Sequence, residues 1–258
     1  MIQDFLEVSK RWRLVHLVGI SGLRARYARS RLGQFWLTIS NFLLIMCAGL
    51  VWSLIWRMDI REYLPYVASG HILYQFVAGT VNESSTALTS DSRIYINEKT
   101  PFLLSTMAHV YRQGLVLAHN IPIIIVVWIW LQSFTPQIGL GFLLGAATTL
   151  AFLVFSSYTL SLICARFRDL IQLVGATMQV MFLVTPVMWQ VSFLPEQYRS
   201  YLLILNPFAS MLEVLRNPIL GMPTENIAYL ALFGWVGIAV IIAALAHKTW
   251  GRSIIFWL

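Results

Sequence analysis

Charged residues are scarce in this chain of 258 residues, in which they make up 11% against 58% hydrophobic residues. Soluble domains carry about one quarter charged residues, so this balance excludes an ordinary soluble protein. Lysine is scarcest of all, because the chain has only Lys10, Lys99 and Lys248 and none of them follows a glycine. The Gly-Lys step of a phosphate-binding P-loop is therefore absent, which excludes a P-loop ATPase.

Residue patterns typical of catalytic and metal sites are missing as well. The five histidines lack the spacing of a His-Glu-x-x-His site, and no Gly-x-Ser-x-Gly sequence occurs. We therefore expect neither enzymatic activity nor a metal or cofactor in this chain. The acidic residues lie mostly near the ends of apolar runs, whereas a proton-driven carrier needs carboxylates in the middle of the membrane. Cys47 and Cys164 lie inside apolar runs, where cysteine acts as a small hydrophobic residue, so no disulfide is expected.

The chain has instead a series of apolar runs of about 20 residues, long enough for a helix to cross a hydrocarbon core of about 30 Å. A soluble helix has no reason to be apolar on every face over such a length. We predict an all-α integral membrane protein, in which the second and third spans are the least regular because polar residues interrupt them. The six predicted spans are 34–56, 63–88, 105–131, 138–165, 170–189 and 226–246.

The basic residues predict how these spans are oriented. Seven of the 18 Lys and Arg residues precede the first span, and with a cytoplasmic amino terminus 14 of the 18 lie on the cytoplasmic side. Cytoplasmic loops carry an excess of Lys and Arg, so we expect both termini in the cytoplasm. The net charge of +7 raises nucleic acid as a partner. The arginines, however, cluster just before an apolar run, which favours anionic lipids or an anionic lipid substrate.

Two segments lie outside this series of spans. Within residues 1–33, apolar side chains recur at helical spacing while charged residues line another face, which predicts an amphipathic helix along the cytoplasmic interface. The alternative is a solvated lead-in. Residues 190–225 are too short for a folded domain and too apolar for a free loop, so we expect short re-entrant helices on the outer face. The rest of 34–258 forms the six-span domain.

Four local motifs sharpen this pattern. They are Leu194-Pro195 followed by Pro207-Phe208-x-Ser210 and Arg216; Ala165-Arg166-Phe167-Arg168-Asp169; Arg24-x-Arg26-Tyr27-x-Arg29-Ser30-x-Leu32-Gly33-x-x-Trp36; and the tract from Tyr111-Arg112 to Ala118-His119-Asn120. With the six spans and the re-entrant segment, they resemble the transmembrane subunit of type-2 ABC exporters. The tract in the third span is similar to the Wzm-like permeases that export lipopolysaccharide O antigen.

The resemblance implies a homodimer of this chain with two copies of a separate ATPase, which binds ATP and magnesium. It implies as substrate a polyprenyl-diphosphate-linked polysaccharide that is moved across the bacterial inner membrane. O antigen is the favoured polysaccharide. Capsular polysaccharide and teichoic acid exporters are the alternatives within this class. From other classes, a proton-coupled carrier would need membrane-embedded carboxylates, and an integral-membrane transferase would need a polar catalytic cluster at one interface.

Two charged cytoplasmic segments are the candidates for docking on the ATPase. The turn after the fourth span is too short to fold alone, and such turns dock on the ATPase in the family; the alternative is that its arginines only obey the positive-inside rule. The loop at 91–101 resembles a coupling helix, with an ordinary solvated loop as the alternative. The ATPase-coupling candidates are Arg166, Arg168 and Asp169 in the turn, and Asp91, Arg93, Asn97, Glu98 and Lys99 in the loop.

Candidates for contact with the substrate are arginines and aromatic residues. Guanidinium groups match phosphate oxygens, so Arg24, Arg26, Arg29 and Arg31 are candidates for a lipid diphosphate; headgroup anchoring is the alternative. Sugars stack on aromatic rings, and the candidates for the glycan path are Trp36, Tyr74, Trp128, Trp130, Trp189 and Phe193. For each ring the alternative is interface anchoring or packing.

Polar residues inside the apolar segments have their own expected places. His119 and Asn120 interrupt the third span, so they should face protein or a channel and hydrogen-bond to a neighbouring helix. Arg216 lies in the second half of the re-entrant segment, and we expect it to cap or pin the re-entrant helices rather than to contact substrate.

Overall fold

The computed structural model describes residues 2–27, 31–33, 35–97, 100–132, 135–251 and 253–258. In these residues the chain is helical and contains no strand, with short 3-10 turns at Val191–Phe193 and Ile254–Phe256. The α-helices are α1 (Ile2–Lys10), α2 (Trp12–Tyr27), α3 (Phe35–Trp56), α4 (Ile60–Ser84), α5 (Ala87–Ser90), α6 (Ser92–Asn97), α7 (Leu103–Leu131), α8 (Leu140–Arg166), α9 (Leu170–Val184), α10 (Glu196–Leu205), α11 (Pro207–Leu220) and α12 (Asn226–Trp250).

Four helices of the described chain, α3, α7, α8 and α12, are long and apolar enough to cross a membrane. They have 22 to 29 residues, or about 33–44 Å at 1.5 Å per residue. The prediction of an all-α integral membrane protein is thus confirmed. The predicted second and fifth spans correspond to α4 and α9, which do not meet this criterion, so the count of six stays a prediction.

Helices α4 and α9 have other bounds than the predicted second and fifth spans, and in each case the cause is local. Helix α4 begins earlier, at Ile60, because the side chain of Asp59 accepts a hydrogen bond from the backbone N–H of Arg61 at 2.8 Å and caps the first turn. Helix α9 ends at Val184 rather than at 189, because Thr185 is extended and precedes a proline, a position that disfavours helical backbone.

Helix α4 lies at the centre of the molecule. It packs against α3, α7, α8, α9 and α11, and most of its length is buried, including small residues such as Ala68, Ser69 and Gly70. Small residues let membrane helices approach closely. Since neighbouring helices rather than lipid surround α4, it tolerates a more polar sequence than the helices at the periphery.

Helices α10 and α11 fold back between α9 and α12. Asn206 caps α11 by accepting from the backbone N–H groups of Phe208 and Ala209, at 3.0 and 3.3 Å, and Pro207 occupies the first turn, where its missing N–H costs nothing. Gly221 ends the helix with φ of 69°, as glycine readily does. Helix α11 is buried against α4, α8 and α12, so this segment is part of the core.

The amino-terminal helices α1 and α2 pack along α7. Val8, Val15 and Leu23 lie at intervals of seven and eight residues and are buried, as a helical stripe requires. At Gly19 the backbone approaches α7 closely, since an added Cβ would lie 2.8 Å from Cδ1 of Tyr111 and 3.1 Å from the carbonyl oxygen of Ala108. The stripe and this glycine fix α2 against α7.

Candidate functional site

A polar cleft of about 440 Å³ lies between α4 and α9. Its α4 wall uses one face of the helix over three turns, and its α9 wall uses residues at spacings of three and four, which also share one face. The α4 wall is formed by His71, Tyr74, Gln75, Ala78, Gly79 and Asn82, and the α9 wall by Gly175, Met178, Gln179 and Phe182. Among the described residues, this lining contains hydrogen-bonding side chains but no Asp, Glu, Lys or Arg.

His71 has hydrogen-bonding capacity that the described residues do not use. Its side chain is buried, with 4% of its surface exposed. Gln75 donates from Nε2 to Nε2 of the imidazole at 3.3 Å, while Nδ1 has no hydrogen-bond partner in the described part of the chain. In the uncharged ring one nitrogen accepts and the other donates. Nδ1 is therefore a buried donor that nothing described here satisfies.

Two aromatic rings complete the cleft. The hydroxyl of Tyr74 donates to the carbonyl oxygen of Met178 at 2.5 Å, which ties α4 to α9. Phe182 stands edge-on to Tyr74, with ring centroids 5.3 Å apart, and edge-on to His71 at 6.1 Å. Since the Tyr74 hydroxyl is already bonded, its ring rather than its polar end is what it presents to the cleft.

Of the six rings predicted for a glycan path, the structure places Tyr74 at this cleft and the others elsewhere. Trp36, Trp128, Trp130 and Phe193 are exposed, with Trp36 near the start of α3 and the other tryptophans near the end of α7. Phe193 lies edge-on to Trp56 at 5.3 Å. The indole N–H of the sixth ring, that of Trp189, donates to the carbonyl oxygen of Leu183 at 3.0 Å.

Sequence reasoning missed most of the cleft. His71, Gln75, Asn82 and Gln179 were not among its candidates, although His71, Gln75 and Asn82 lie four and seven residues apart. This spacing is the signal for one polar face of a helix. What the spacing could not indicate was which other helix faces it.

The arginine candidates for a lipid diphosphate are only partly described. Arg24 lies on α2 and Arg31 follows it, and both are exposed. Arg26 is also in α2, whereas the prediction at Arg29 falls outside the described residues. The structure therefore leaves the diphosphate assignment as a prediction.

The turn after α8 presents its charges to solvent. Arg166, Arg168 and Asp169 are all exposed. The guanidinium of Arg166 lies 5.2 Å from the ring centroids of both Phe167 and Trp257, a cation–π arrangement that holds the side chain near the carboxyl end of the chain. The turn thus offers both positive and negative groups to a partner protein.

The loop between α4 and α7 is fixed to α7 by polar contacts. Tyr95 of α6 is buried and donates from its hydroxyl to Oγ of Ser105 at 2.6 Å. Burial raises the pKa of Tyr95, which keeps this hydroxyl a neutral donor. Asp91 lies 3.8 Å from Nδ1 of His109, Arg93 is exposed, and Asn97 ends α6. The predictions at Glu98 and Lys99 lie outside the described residues.

An ion pair joins the carboxyl-terminal end of α4 to the amino-terminal half of α7. Arg112 approaches Glu83 through two nitrogens, Nη2 at 2.7 Å and Nε at 2.8 Å, and both side chains are largely buried. A charged pair of this geometry is short and directional. The end of α4 is therefore tied to α7, and the loop of α5 and α6 is bonded to the same helix.

The motif residues before α12 have structural partners. Arg216 has 1% of its surface exposed, donates from Nη1 to the carbonyl oxygen of Pro186 at 2.5 Å, and lies 3.9 Å above the ring of Tyr66. Ser210 donates to the carbonyl oxygen of Leu203. The remaining motif residues are Leu194, Pro195 just before α10, Pro207 in the first turn of α11 and Phe208 buried in the core.

His119 and Asn120 connect α7 to α3. Asn120 is buried, and its Oδ1 accepts from Nδ2 of Asn41 at 3.2 Å. Nδ1 of His119 lies 2.8 Å from the carbonyl oxygen of Leu115, and the backbone oxygen of His119 accepts from Thr38 at 3.1 Å. Within the described residues, no group of three or more His, Cys, Asp or Glu side chains could hold a metal ion.

Comparison with known proteins gives relatives along most of the chain, although no family model matches it. An O-antigen export system permease protein RfbA of Klebsiella pneumoniae is 26% identical over 226 residues, covering 87% of this chain and 86% of the relative. A second protein of that name from the same organism is 25% identical over 219 residues, covering 82% of this chain and 83% of the relative.

A protein of the same name from Myxococcus xanthus is 22% identical over 191 residues, covering 74% of each chain. All three relatives are thus permeases of O-antigen export systems. The resemblance that the motifs indicated is confirmed: this helical membrane protein is similar, over most of its length, to the Wzm-like permeases of O-antigen exporters.

Proposed function

We propose that this chain is the permease subunit of an ATP-driven exporter that moves a polyprenyl-diphosphate-linked polysaccharide across the bacterial inner membrane. O antigen is the foremost substrate, and capsular polysaccharide and teichoic acid are the alternatives. The observation that carries the proposal is that the chain is similar to O-antigen export permeases over 74% to 87% of its length.

The cleft between α4 and α9 supports export of a polymer rather than proton-coupled transport. Among the described residues its lining has hydrogen-bonding side chains and one histidine but no carboxylate, whereas proton relays in membranes are chains of several Asp, Glu and His residues. Hydrogen-bonding groups inside a membrane protein are costly unless they face protein or a water-filled path. A hydrophilic polymer needs such a path.

The exporter we propose is a homodimer of this chain with two copies of a separate ATPase, on which ATP and magnesium bind. The exposed charges of Arg166, Arg168 and Asp169 and the loop of α5 and α6 form the docking surface. Both termini are cytoplasmic in this arrangement, residues 1–33 lie along the inner face, and α4 and α9 complete six spans.

Purification of the chain with and without its ATPase tests the proposal. Alone, the chain should neither bind nor hydrolyse ATP, because none of its lysines follows a glycine. With the ATPase, in proteoliposomes, it should translocate lipid-linked glycan when ATP is added. ATP hydrolysis by the chain free of partner, or normal surface polysaccharide in cells from which its gene is deleted, would contradict the proposal.

A further inference from the structure

The cleft between α4 and α9 has the features of a ligand site rather than of a packing defect. Its volume of about 440 Å³ falls within the range of about 300–1,000 Å³ typical of ligand pockets. Gly175 lies in its wall, and a Cβ added there would meet no atom within 4 Å. The absence of a side chain at Gly175 therefore leaves the cleft wider than any other residue would at this position of α9.

One side chain of the lining has hydrogen-bonding capacity that the described residues do not use. Nδ1 of His71 has no hydrogen-bond partner in the described residues, although the side chain is more than nine-tenths buried. An unpaired buried donor is destabilising, and an acceptor oxygen that reached this nitrogen would remove the penalty.

The chemistry of the lining selects for ligands without charge. Phosphate and carboxylate groups are bound by Arg, Lys or clustered backbone N–H groups, and the lining has neither Arg nor Lys. Removing an anion from water without a cationic partner is expensive. A lipid diphosphate or an acidic sugar therefore has no counter-charge here.

The same lining matches sugar hydroxyls. Each hydroxyl both donates and accepts, and so does each carboxamide, of which the cleft has three, on Gln75, Asn82 and Gln179. The rings of Tyr74 and Phe182 provide apolar faces for the C–H side of a sugar. Single contacts of this kind are weak, which allows a polymer to slide.

We propose that the cleft between α4 and α9 binds neutral sugar units, through the carboxamides of Gln75, Asn82 and Gln179, and discriminates against acidic ones. This inference rests on the proposed function and adds the class of glycan: a polymer of neutral sugars. The lipid diphosphate, whose charge the cleft does not balance, is held elsewhere in the molecule.

Protection of an introduced cysteine tests this site in the full-length chain in lipid nanodiscs. The parent for labelling is a Cys47→Ser, Cys164→Ala variant, which removes both native thiols. In the Gln179→Cys variant of this parent, a neutral mannan oligosaccharide added at about four times its Kd should slow maleimide labelling about fivefold, because the rate falls with the unoccupied fraction of sites. An alginate oligosaccharide of equal length, which is acidic, should leave the rate unchanged.

The matched control is Thr177→Cys, because Thr177 is exposed on the same helix but lines an apolar cavity instead of the cleft. Its labelling should not respond to either sugar. Equal protection by both sugars, no protection by mannan, or protection at both positions would overturn the inference. Labelling of Gln179→Cys that is blocked without sugar would also overturn it, since a second copy of the chain would then fill the cleft.

Export in producing cells separates this inference from the proposed function. The double variant Gln75→Leu, Gln179→Leu should reduce surface polysaccharide while the ATPase remains bound and active. Wild-type export by this variant contradicts the sugar site and leaves the permease assignment intact. Unchanged export after deletion of the whole gene contradicts the permease assignment itself.

Discussion

At the scale of single residues, Arg216 shows how a charge is accommodated in the core. Its guanidinium is covered by the ring of Tyr66 and donates to the carbonyl oxygen of Pro186, the residue after the extended Thr185 that ends α9. Planar guanidinium groups stack on rings, whereas the compact ammonium of lysine does not reproduce this geometry. Arg216 therefore joins α11 to both α4 and the segment that follows α9.

We expect Arg216→Lys to lower the stability of the purified protein by about 2 kcal/mol, the cost of disturbing a buried charge-assisted hydrogen bond. The measurement is the midpoint of thermal unfolding in detergent. Arg199→Lys is the matched control, because Arg199 also donates to backbone carbonyls, those of Leu194 and Ser192, but in a part-buried to exposed setting. Equal shifts in the two variants would show that the stacking on Tyr66 contributes nothing.

At the scale of helices, α7 carries the contacts that hold α2, the end of α4 and the loop of α5 and α6 together. The hydroxyl of Tyr111 lies 2.8 Å from Nδ1 of His16, and the Tyr111 ring stands edge-on to that of Trp12; both partners belong to α2. The next residue, Arg112, forms an ion pair with Glu83 of α4. The loop of α5 and α6 is bonded to the first turns of the same helix. A displacement of this loop or of α2 is thus passed to α4 through one rigid element.

We expect Gly19→Ala to loosen α2 from α7. Overpacking costs about 1–3 kcal/mol, which outweighs the gain of up to about 1 kcal/mol in helix propensity. The added methyl group meets a rigid ring and a backbone oxygen, so neither neighbour can give way easily. Faster tryptic cleavage at Arg13, in the same helix, is the measurement.

Gly234→Ala is the control for this substitution, because Gly234 lies in α12 and an added Cβ there meets nothing within 4 Å. This variant should be as resistant as the parent. If Gly19→Ala is equally resistant, close approach of the backbone at Gly19 does not position α2.

At the scale of the whole molecule, the cleft and the exposed charged turn lie at different places along α9. The uncharged cleft lies between α4 and α9, while the exposed charges of Arg166, Arg168 and Asp169 lie in the short turn that joins α8 to α9. Helix α9 therefore starts at the turn and forms one wall of the cleft. In the exporter we propose, an ATPase that moves the turn also moves that wall.

We expect Arg166→Glu with Arg168→Glu to weaken association with the ATPase or to uncouple its ATP hydrolysis from export. Insertion into the membrane should be unchanged, because the variant alters an exposed turn. Co-purification of the ATPase and ATP hydrolysis by the complex are the measurements. Arg61→Glu, at the amino end of α4, is the control and should leave ATPase binding unchanged. Wild-type export by the double variant would show that the two arginines serve only as topology signals.

The sequence determined the membrane character and most helix positions, because charge-free runs of about 20 residues have few other physical uses. It also indicated the resemblance to O-antigen export permeases, because the motifs before α12 and after α8 are local residue patterns. The sequence placed the end of the fifth span at 189, whereas the helix ends five residues earlier, at Val184. The following proline disfavours helical backbone at Thr185, and this outweighed the hydrophobic pattern. The sequence also did not indicate that α4 owes its polar sequence to its central, buried position.

Only the tertiary structure decided which polar residues meet. His71 and Gln179 are more than 100 positions apart in the chain, and each alone is an ordinary interruption of an apolar run. The packing of α4 against α9, with Tyr74 bonded to Met178, brings them to one cleft. Periodicity fixes the face on which a residue lies, but the partner of that face depends on how all the helices pack together.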